Sequence, residues 1–421
     1  MGLKLGCIAD DFTGATDLAN NLVRAGMRVV QTIGVSPSPL PDHCDAVVIA
    51  LKTRTIPPAE AVAQSVAALQ WLQSQGVEQV YFKYCSTFDS WYQGDVRGNI
   101  GPVTEALMDA LGTDFTIATP AFPDNGRTVF KGHLFVGDAL LSDSGMKDHP
   151  LTPMRDANLV RVMQAQCQSP VGLIDHKVVA AGAGAVTQAI EHLKSQGVRI
   201  AIVDAVSNDD LIRMGPALRD LPLLTAGSGV AIALPANFGL QADPRTSLLP
   251  AAGGRQAIVS GSCSQATLVQ VQHAIAHGVP TWALEPAALM DDAGQQQAIA
   301  NALQFAAQHA TTPVLVYSSA APDAVRAIQQ RFGVEQAGHR VEQTLAAIAE
   351  SEPAPDQGRT MGEYSFGEAA NKAGQITGGV LGTAANLAGG AIGAIPGKEY
   401  IIPGATAYGL AEGFKNAPRA I

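Results

Sequence analysis

Two adjacent acids, Asp10 and Asp11, stand between an apolar run, Leu3 to Ala9, and a stretch with helical spacing. A carboxylate at a strand-to-helix junction can orient a hydroxyl or take its proton, and in a parallel sheet the carboxyl edge is where ligands bind. Successive side chains on extended backbone point to opposite sides, so one acid faces a cleft while the other caps the helix. Asp11 is the cleft candidate, with Asp10 close behind it. The competing reading makes both of them capping, solvated acids.

A second polar segment, Lys83-Tyr84-Cys85-Ser86-Thr87-Phe88-Asp89-Ser90, also ends a strand-like run, and Gly98-Asn99-Ile100-Gly101 then opens a helix. A cation, hydroxyls and free helix N–H groups in one loop suit a polyhydroxy carboxylate; the alternative is a Ser/Thr-rich turn with a snorkelling lysine. From Pro120 through Asp124-Asn125-Gly126-Arg127 to Pro153 runs a polar loop of about thirty-five residues, a length more often functional than idle. Arg127 is its carboxylate-binding candidate, since a guanidinium takes both oxygens as a fork, while His133 and His149 read as loop-packing residues.

Two glycine turns follow strand-like runs. Leu223 to Gly229 ends in N–H groups that can hold an anion. In Ser260-Gly261-Ser262-Cys263-Ser264, small residues let a phosphate approach backbone amides, with hydroxyls as extra donors; as a purely structural feature it is a tight turn with an N-cap. The P-loop, dinucleotide-binding, nucleophile-elbow and H-E-x-x-H patterns are absent, which removes those stock chemistries.

The elements that must position these groups read as alternating strands and helices. Leu3 to Ala9, Val29 to Ile33, Ala46 to Leu51, Gln79 to Tyr84, Phe115 to Ala118, Val171 to Ile174 and Ile200 to Val203 are separated by helical patterns, which predicts parallel sheet with crossover helices. The first helix is expected to start at Thr13 as N-cap and to stop at Gly26. Residues 236–255 lose periodicity and collect Pro, Gly and polar residues, as a linker does. A second series then runs Ala257 to Ser260, a helix from Ser264 to His277, Thr281 to Leu284, a helix from Ala298 to Ala310, Val314 to Tyr317, and helices Pro322 to Phe332 and Val341 to Ala349.

The predicted class is therefore α/β, with two domains that are each a mainly parallel sheet flanked by helices: 1–235, a linker 236–255, a second domain 256–350, and an atypical Gly-rich tail 351–421. Ala373 to Gly397 carries no charge, and Gly374, Gly378 and Gly382, like Gly389, Gly393 and Gly397, recur every four residues. On a helix they would line one smooth strip for close packing, in a membrane included. Glycine costs about 1 kcal/mol per helical position, and Gln375, Thr377 and Asn386 oppose a spanning segment.

With 421 residues, 47% of them hydrophobic, the chain can bury two cores, and its net charge of −10 without basic runs argues against nucleic acid as a partner. The five cysteines are scattered and never form C-x-x-C, which favours neither a zinc site nor a disulfide framework and fits a reducing cytoplasm.

Taken together, ADDFTGATDLANNLVRAG, FKYCSTFDS, GNIGPVTEALMDAL, PAFPDNGRTVFKGHLFVGDALLSDSGMKDHPLTPM and VSGSCSQAT resemble the four-carbon acid sugar kinase family, in its 3-oxo-tetronate branch, over residues 3–350. The resemblance implies an N-terminal domain for the acid sugar and a C-terminal domain for ATP. It also implies Mg²⁺ and phosphoryl transfer to the terminal hydroxyl, giving a 4-phosphate, in a cytoplasmic enzyme with room for homo-oligomers. The turn Ser260, Gly261, Ser262, Cys263 and Ser264 matches a family segment that lines the ATP site, and the residues themselves place the acid sugar at Asp10, Asp11, Lys83, Ser86, Thr87, Asn125 and Arg127, with Asp11 as base.

Two features depart from the family. The spacer WYQGDVR, 91–97, is longer than usual, and beyond Glu350 the family's G-G-E-T-S-G-like and K-S-G-N-F-G-like loops have no counterpart. The resemblance thus implies impaired transfer, the alternative being a non-catalytic acid-sugar-binding protein with a degenerate nucleotide domain.

Overall fold

The structure, a computed structural model, describes residues 3–36, 40–41, 43–90, 98–149, 152–242, 257–261, 263, 265–351, 385–386 and 400–401. The chain separates into two compact units, 1–248 with 396–407 and 249–395 with 408–421.

The first unit is built on strands β1 (Leu5–Ala9), β2 (Val29–Ile33), β3 (Ala46–Ala50), β4 (Gln79–Lys83), β5 (Thr116–Thr119), β6 (Arg127–Phe130), β7 (His133–Val136), β8 (Ala139–Leu140), β9 (Val171–Ile174), β10 (Ile200–Val203) and β11 (Leu223–Ala226). Its main sheet runs β2-β3-β1-β4-β11-β5-β10-β9, with Tyr400–Ile401 beside β2 at the edge. All pairings from β2 to β9 are parallel. The central strands are buried at every position, which is why they read as continuous apolar runs rather than as alternations. Helices α1 (Phe12–Arg24), α2 (Pro58–Ser74) and α3 (Ile100–Leu111) are crossovers. Gly6 lets α2 come close over β1, since a Cβ there would lie 2.8 Å from the Leu72 side chain.

Three expectations are corrected. α1 is capped by Asp11, whose Oδ1 accepts from the Gly14 amide at 3.0 Å; Thr13 lies inside the first turn and is exposed. The region 120–153, predicted as loop, contains the antiparallel ribbon β6-β7-β8, its bend made by Lys131 and Gly132, both at positive φ. The short helix Leu234–Asn237 carries ordered structure past Ala236, where the linker was expected.

The second unit contains β12 (Ala257–Ser260), β13 (Thr281–Ala283) and β14 (Val314–Tyr317) in the order β13-β14-β12, parallel throughout, with Ala385–Asn386 antiparallel to β12. Leu284, Leu289, Ala302, Val316, Leu345 and Ile348 form its core. Helix Asp292–Gln308 starts earlier than its apolar pattern because Asp291 accepts from the Gly294 amide at 2.8 Å and caps it. Among the described residues no helix is long and apolar enough to cross a membrane. The proposed glycine strip and the 91–97 spacer lie outside the described residues.

Candidate functional site

Strand β1 is flanked by β3 on one side and β4 on the other, so the chain reverses its direction of travel across the sheet beside β1. Such a switch point opens a crevice at the carboxyl edge. There β1 delivers Asp10 and Asp11, β4 ends in Lys83, and the turn after β3 carries Arg54. Backbone bonds fix the three ends together: the Asp10 amide donates to the Lys83 carbonyl at 3.0 Å, and the Thr53 amide donates to the Asp10 carbonyl at 2.9 Å.

Arg54 is the hub. Its Nε and Nη2 donate to the two Asp10 oxygens at 3.0 and 2.9 Å, Nη2 also lies 2.7 Å from Asp11 Oδ1, and Nη1 stands 3.9 Å from Asp89 Oδ2. Asn99 holds the loop that bears it, its Nδ2 donating to the carbonyls of Thr53 at 2.5 Å and Ile56 at 2.9 Å; this is why α3 opens with an asparagine that does not cap it. Burial raises the Asp11 carboxyl, but Arg54, Lys83 and the Gly14 amide outweigh it and hold the group below its usual range. Asp11 is thus both cap and ion-pair partner. Burial raises Asp10, and Arg54 offsets this only in part.

The Lys83–Ser90 segment contributes further. Thr87 Oγ1 donates to Asp89 Oδ1 at 2.6 Å, linking the hydroxyl to the carboxylate that faces Arg54. Phe88 adopts φ 54° while fully buried, a left-handed conformation costing a bulky residue about 1–3 kcal/mol. Its ring is held edge-on against Tyr84 at 5.3 Å. Ser86 is partly exposed and sits on the same loop.

Deeper along α1, Gly14, Asp17 and Asn21 share one face. Lys83 Nζ lies where a Gly14 Cβ would come within 2.3 Å of it. The lysine is buried as a residue, and its charge favours the ionised forms of Asp10, Asp11 and Asp17. Asp17 feels Lys83, Arg127 and Asp11; burial raises its carboxyl, with Lys83 the chief offset. Two buried polar atoms on this side have no hydrogen-bond partner, Arg127 Nε and Ser228 Oγ. Arg127 Nη1 donates to the Asn125 carbonyl, so Asn125 anchors the arginine through its backbone while its side chain is exposed.

Other sequence candidates turn out structural. Gly227 and Gly229 allow close approach to Pro120 and Ala121, whose carbonyls a Cβ would meet at 3.0 and 2.2 Å. His133 packs on the Lys131 carbonyl at 2.8 Å. His149 accepts from the Thr152 amide at 3.1 Å and feels Asp89 and Arg54; burial, above all, lowers its pKa. Sequence reasoning missed Arg54, Asp89 and Asp17. Arg54 lies after β3 at the same carboxyl edge as the ends of β1 and β4, but its partners Asp10 and Asn99 are distant in sequence.

In the second unit, Ser260 and Ser318 end the adjacent parallel strands β12 and β14, and the Ser318 amide donates to the Ser260 carbonyl at 2.9 Å. Ser260 Oγ is 2.9 Å from Ser319 Oγ, and Ser318 Oγ is buried without a partner. Cys263 Sγ points to the Gly261 carbonyl at 3.7 Å; Ser262 and Ser264 lie outside the described residues. This edge carries hydroxyls where the first unit carries charges.

Residues 5–234 match the model of a sugar-binding N-terminal domain, and 257–359 that of a nucleotide-binding C-terminal domain. A 3-oxo-tetronate kinase of Burkholderia multivorans is 55% identical over 349 residues, covering 82% of this chain and 80% of its own length. That of Haemophilus influenzae is 45% identical over 351 residues, covering 82% of each. Among solved structures, a Salmonella typhimurium LT2 protein provisionally named a tRNA synthase aligns with TM-score 0.71 at 43% identity, over 82% of both chains.

Proposed function

This chain belongs to the four-carbon acid sugar kinase family, and from that premise we propose that the carboxyl edge around β1 and β4 binds the acid sugar and that the Ser260–Ser264 turn binds ATP. The protein is an ATP-dependent kinase of 3-oxo-tetronate. The observation that carries the site assignment is the pair of cations on this side, the buried Lys83 and Arg127 with its buried Nε unsatisfied among the described residues. A buried donor without an acceptor costs about 1–3 kcal/mol, and a substrate carboxylate supplies the missing acceptor.

In this reading Arg127 and Lys83 take the carboxylate, Thr87, Ser86 and Asn125 line the polyhydroxy chain, and Asp10, Asp11 and Arg54 hold the loops in register. The Asp11 carboxylate, already engaged by Arg54 and Gly14, serves as a hydrogen-bond acceptor in preference to a base. The terminal hydroxyl oxygen bonds to the γ-phosphorus as the bond to the β-phosphate oxygen breaks, giving a 4-phosphate and ADP, and the hydroxyl proton is released to solvent. Positioning and charge stabilisation supply most of the acceleration in such transfers.

Mg²⁺ accompanies the ATP. The described residues contain no trio of His, Cys, Asp or Glu arranged for a metal, and the hydroxyls and amides at the β12 and β14 ends suit phosphate oxygens, themselves the usual main ligands of that ion. A reducing cytoplasm fits the free cysteines. The acidic charge of −10 favours a small-molecule substrate over tRNA.

The test is calorimetric titration with 3-oxo-tetronate and with ATP and Mg²⁺, followed by coupled detection of ADP. Saturable binding of both is expected, with ADP release that requires both and is slow in this chain because of its altered C-terminal segment. ADP release indifferent to the acid sugar would overturn the assignment.

A further inference from the structure

The polar face of α1 carries a carboxylate that the network around Arg54 does not use. Asp10 and Asp11 are committed to Arg54, and Asp89 is bound by Thr87. Asp17 stands apart. It is partly exposed, and the Ser228 hydroxyl lies close enough to favour its ionised form yet closes no hydrogen bond. The groups facing it are Lys83 and Tyr81 from β4, Arg127 from β6, Asp11 from the turn before α1 and Ser228 after β11. Tyr81 is occupied with the Gly227 carbonyl, and Asn21, one turn on, donates to the Ser228 carbonyl at 2.9 Å. The surroundings are therefore fixed by backbone contacts, while the Asp17 lone pairs, the Ser228 hydroxyl and Arg127 Nε are left for something else.

Lys83 and Arg127 suit a carboxylate, but an acceptor set between two such donors requires a neutral donor on the same ligand. A hydroxyl meets that need. We propose that Asp17 accepts a hydrogen bond from a hydroxyl of the bound acid sugar, and so makes hydroxylation, beyond the carboxylate alone, a condition of tight binding. The proposal rests on the assignment of the acid sugar to this edge. A hydrogen bond to a charged acceptor in a half-buried site is worth about tenfold to a hundredfold in affinity, and a site built to bond a hydroxyl rejects an analogue lacking it because its own polar groups are then stranded.

The experiment is calorimetry on the full chain with 3-oxo-tetronate and with 3-oxobutanoate, which keeps the carboxylate and ketone but has no hydroxyls. The unchanged protein should prefer 3-oxo-tetronate by about tenfold or more. In Asp17→Ala that preference should fall to within about threefold, whatever common shift both acids show from the charge lost beside Lys83 and Arg127. Asp17→Glu should recover part of it, and Asp17→Asn, which keeps the volume, guards against misfolding. In the unchanged protein the preference should weaken as pH falls, because protonation removes the charged acceptor and burial raises the pH at which this occurs; Asp17→Asn should lack that dependence. A preference that survives in both Asp17→Ala and Asp17→Asn with its pH dependence intact would overturn the role of Asp17 alone. Failure of the unchanged chain to bind 3-oxo-tetronate would overturn the substrate assignment and this proposal with it.

Discussion

On the proposed assignment, the two sheet edges solve different recognition problems with different materials. At the β1, β3 and β4 ends, Asp10, Asp11, Asp89, Arg54 and Lys83 are packed so densely that Arg54 alone is shared by three carboxylates. At the β12 and β14 ends the polar groups are the hydroxyls of Ser260, Ser318 and Ser319. A small acid offers few atoms, and each must be met by a fixed charge. A nucleotide brings its own charge and metal, which backbone amides and hydroxyls at a strand-to-helix turn can meet. Breaking the first edge should therefore disturb folding and binding together, whereas changes at the second should mainly alter nucleotide affinity.

The largest expected effect lies outside both edges. Residues 351–421 lack the glycine loops that the family resemblance implies for the nucleotide, and the relatives' similarity covers 82% of this chain. Exchanging 351–421 for the C-terminus of the Burkholderia multivorans relative should raise ADP formation by orders of magnitude, since positioning is worth up to about 7–11 kcal/mol. Equal turnover by the unchanged chain and the exchange would show that the tail already positions ATP.

Next in size is Arg54→Ala. Removing one partner of a buried ion pair costs about 3–5 kcal/mol, and here Asp10, 4% exposed, loses its ion-pair partner and keeps the weaker attraction of Lys83. Urea unfolding should show that loss. The sign with pH is definite: a buried carboxyl whose native pKa is raised destabilises the fold above that pKa, so the deficit shrinks as pH is lowered from neutrality. A pH-independent loss below about 1 kcal/mol would mean that Arg54 is dispensable to the fold.

This network also marks where the sequence was legible. Strands such as Val29–Ile33, Val171–Ile174 and Val314–Tyr317 were readable residue for residue, because short runs rich in β-branched and apolar residues, bounded by polar and turn residues, delimit them. The polar loop of 120–153 hid a ribbon, since Thr128, His133 and Phe135 give a two-faced, part-exposed pattern with no apolar run. Asp10, Asp11, Lys83 and Arg127 were visible as polar groups after strands. Asp17 and Arg54 acquire meaning only through neighbours distant in sequence, Ser228 and Lys83 for one and Asp10 and Asn99 for the other, and no local pattern encodes such pairings.

Arg127→Ala sharpens the comparison by separating binding from folding at the charged edge. The guanidinium lies at the start of β6 and, among the described residues, bonds to the Asn125 carbonyl alone, so its loss should leave unfolding by urea nearly unchanged. Calorimetry should record acid-sugar affinity weaker by about 1.5–3 kcal/mol and ATP affinity as before. Parallel loss of both ligands would point to a folding defect and remove Arg127 from the carboxylate site.

The smallest effect should come from Ser318→Ala at the hydroxyl edge, and its value is in its sign. In the free protein the Ser318 hydroxyl is buried, 6% exposed as a residue, and has no hydrogen-bond partner among the described residues. An unsatisfied buried hydroxyl costs about 1–3 kcal/mol, so replacing it by a methyl group should leave stability unchanged or raise it by up to about 1 kcal/mol. If that hydroxyl donates to a bound phosphate, the gain reverses with ligand present: the nucleotide then loses a neutral hydrogen bond, about 0.5–1.5 kcal/mol, roughly two- to tenfold in affinity. Thermal unfolding with and without ATP and Mg²⁺ reads both terms at once, because a ligand that binds only the folded state adds stability in proportion to the logarithm of its affinity. The variant should therefore match or exceed the parent when free and gain less than the parent from saturating ATP. An equal gain would show that the nucleotide does not reach Ser318, leaving Ser260 and the turn after it to hold the phosphates without the neighbouring strand.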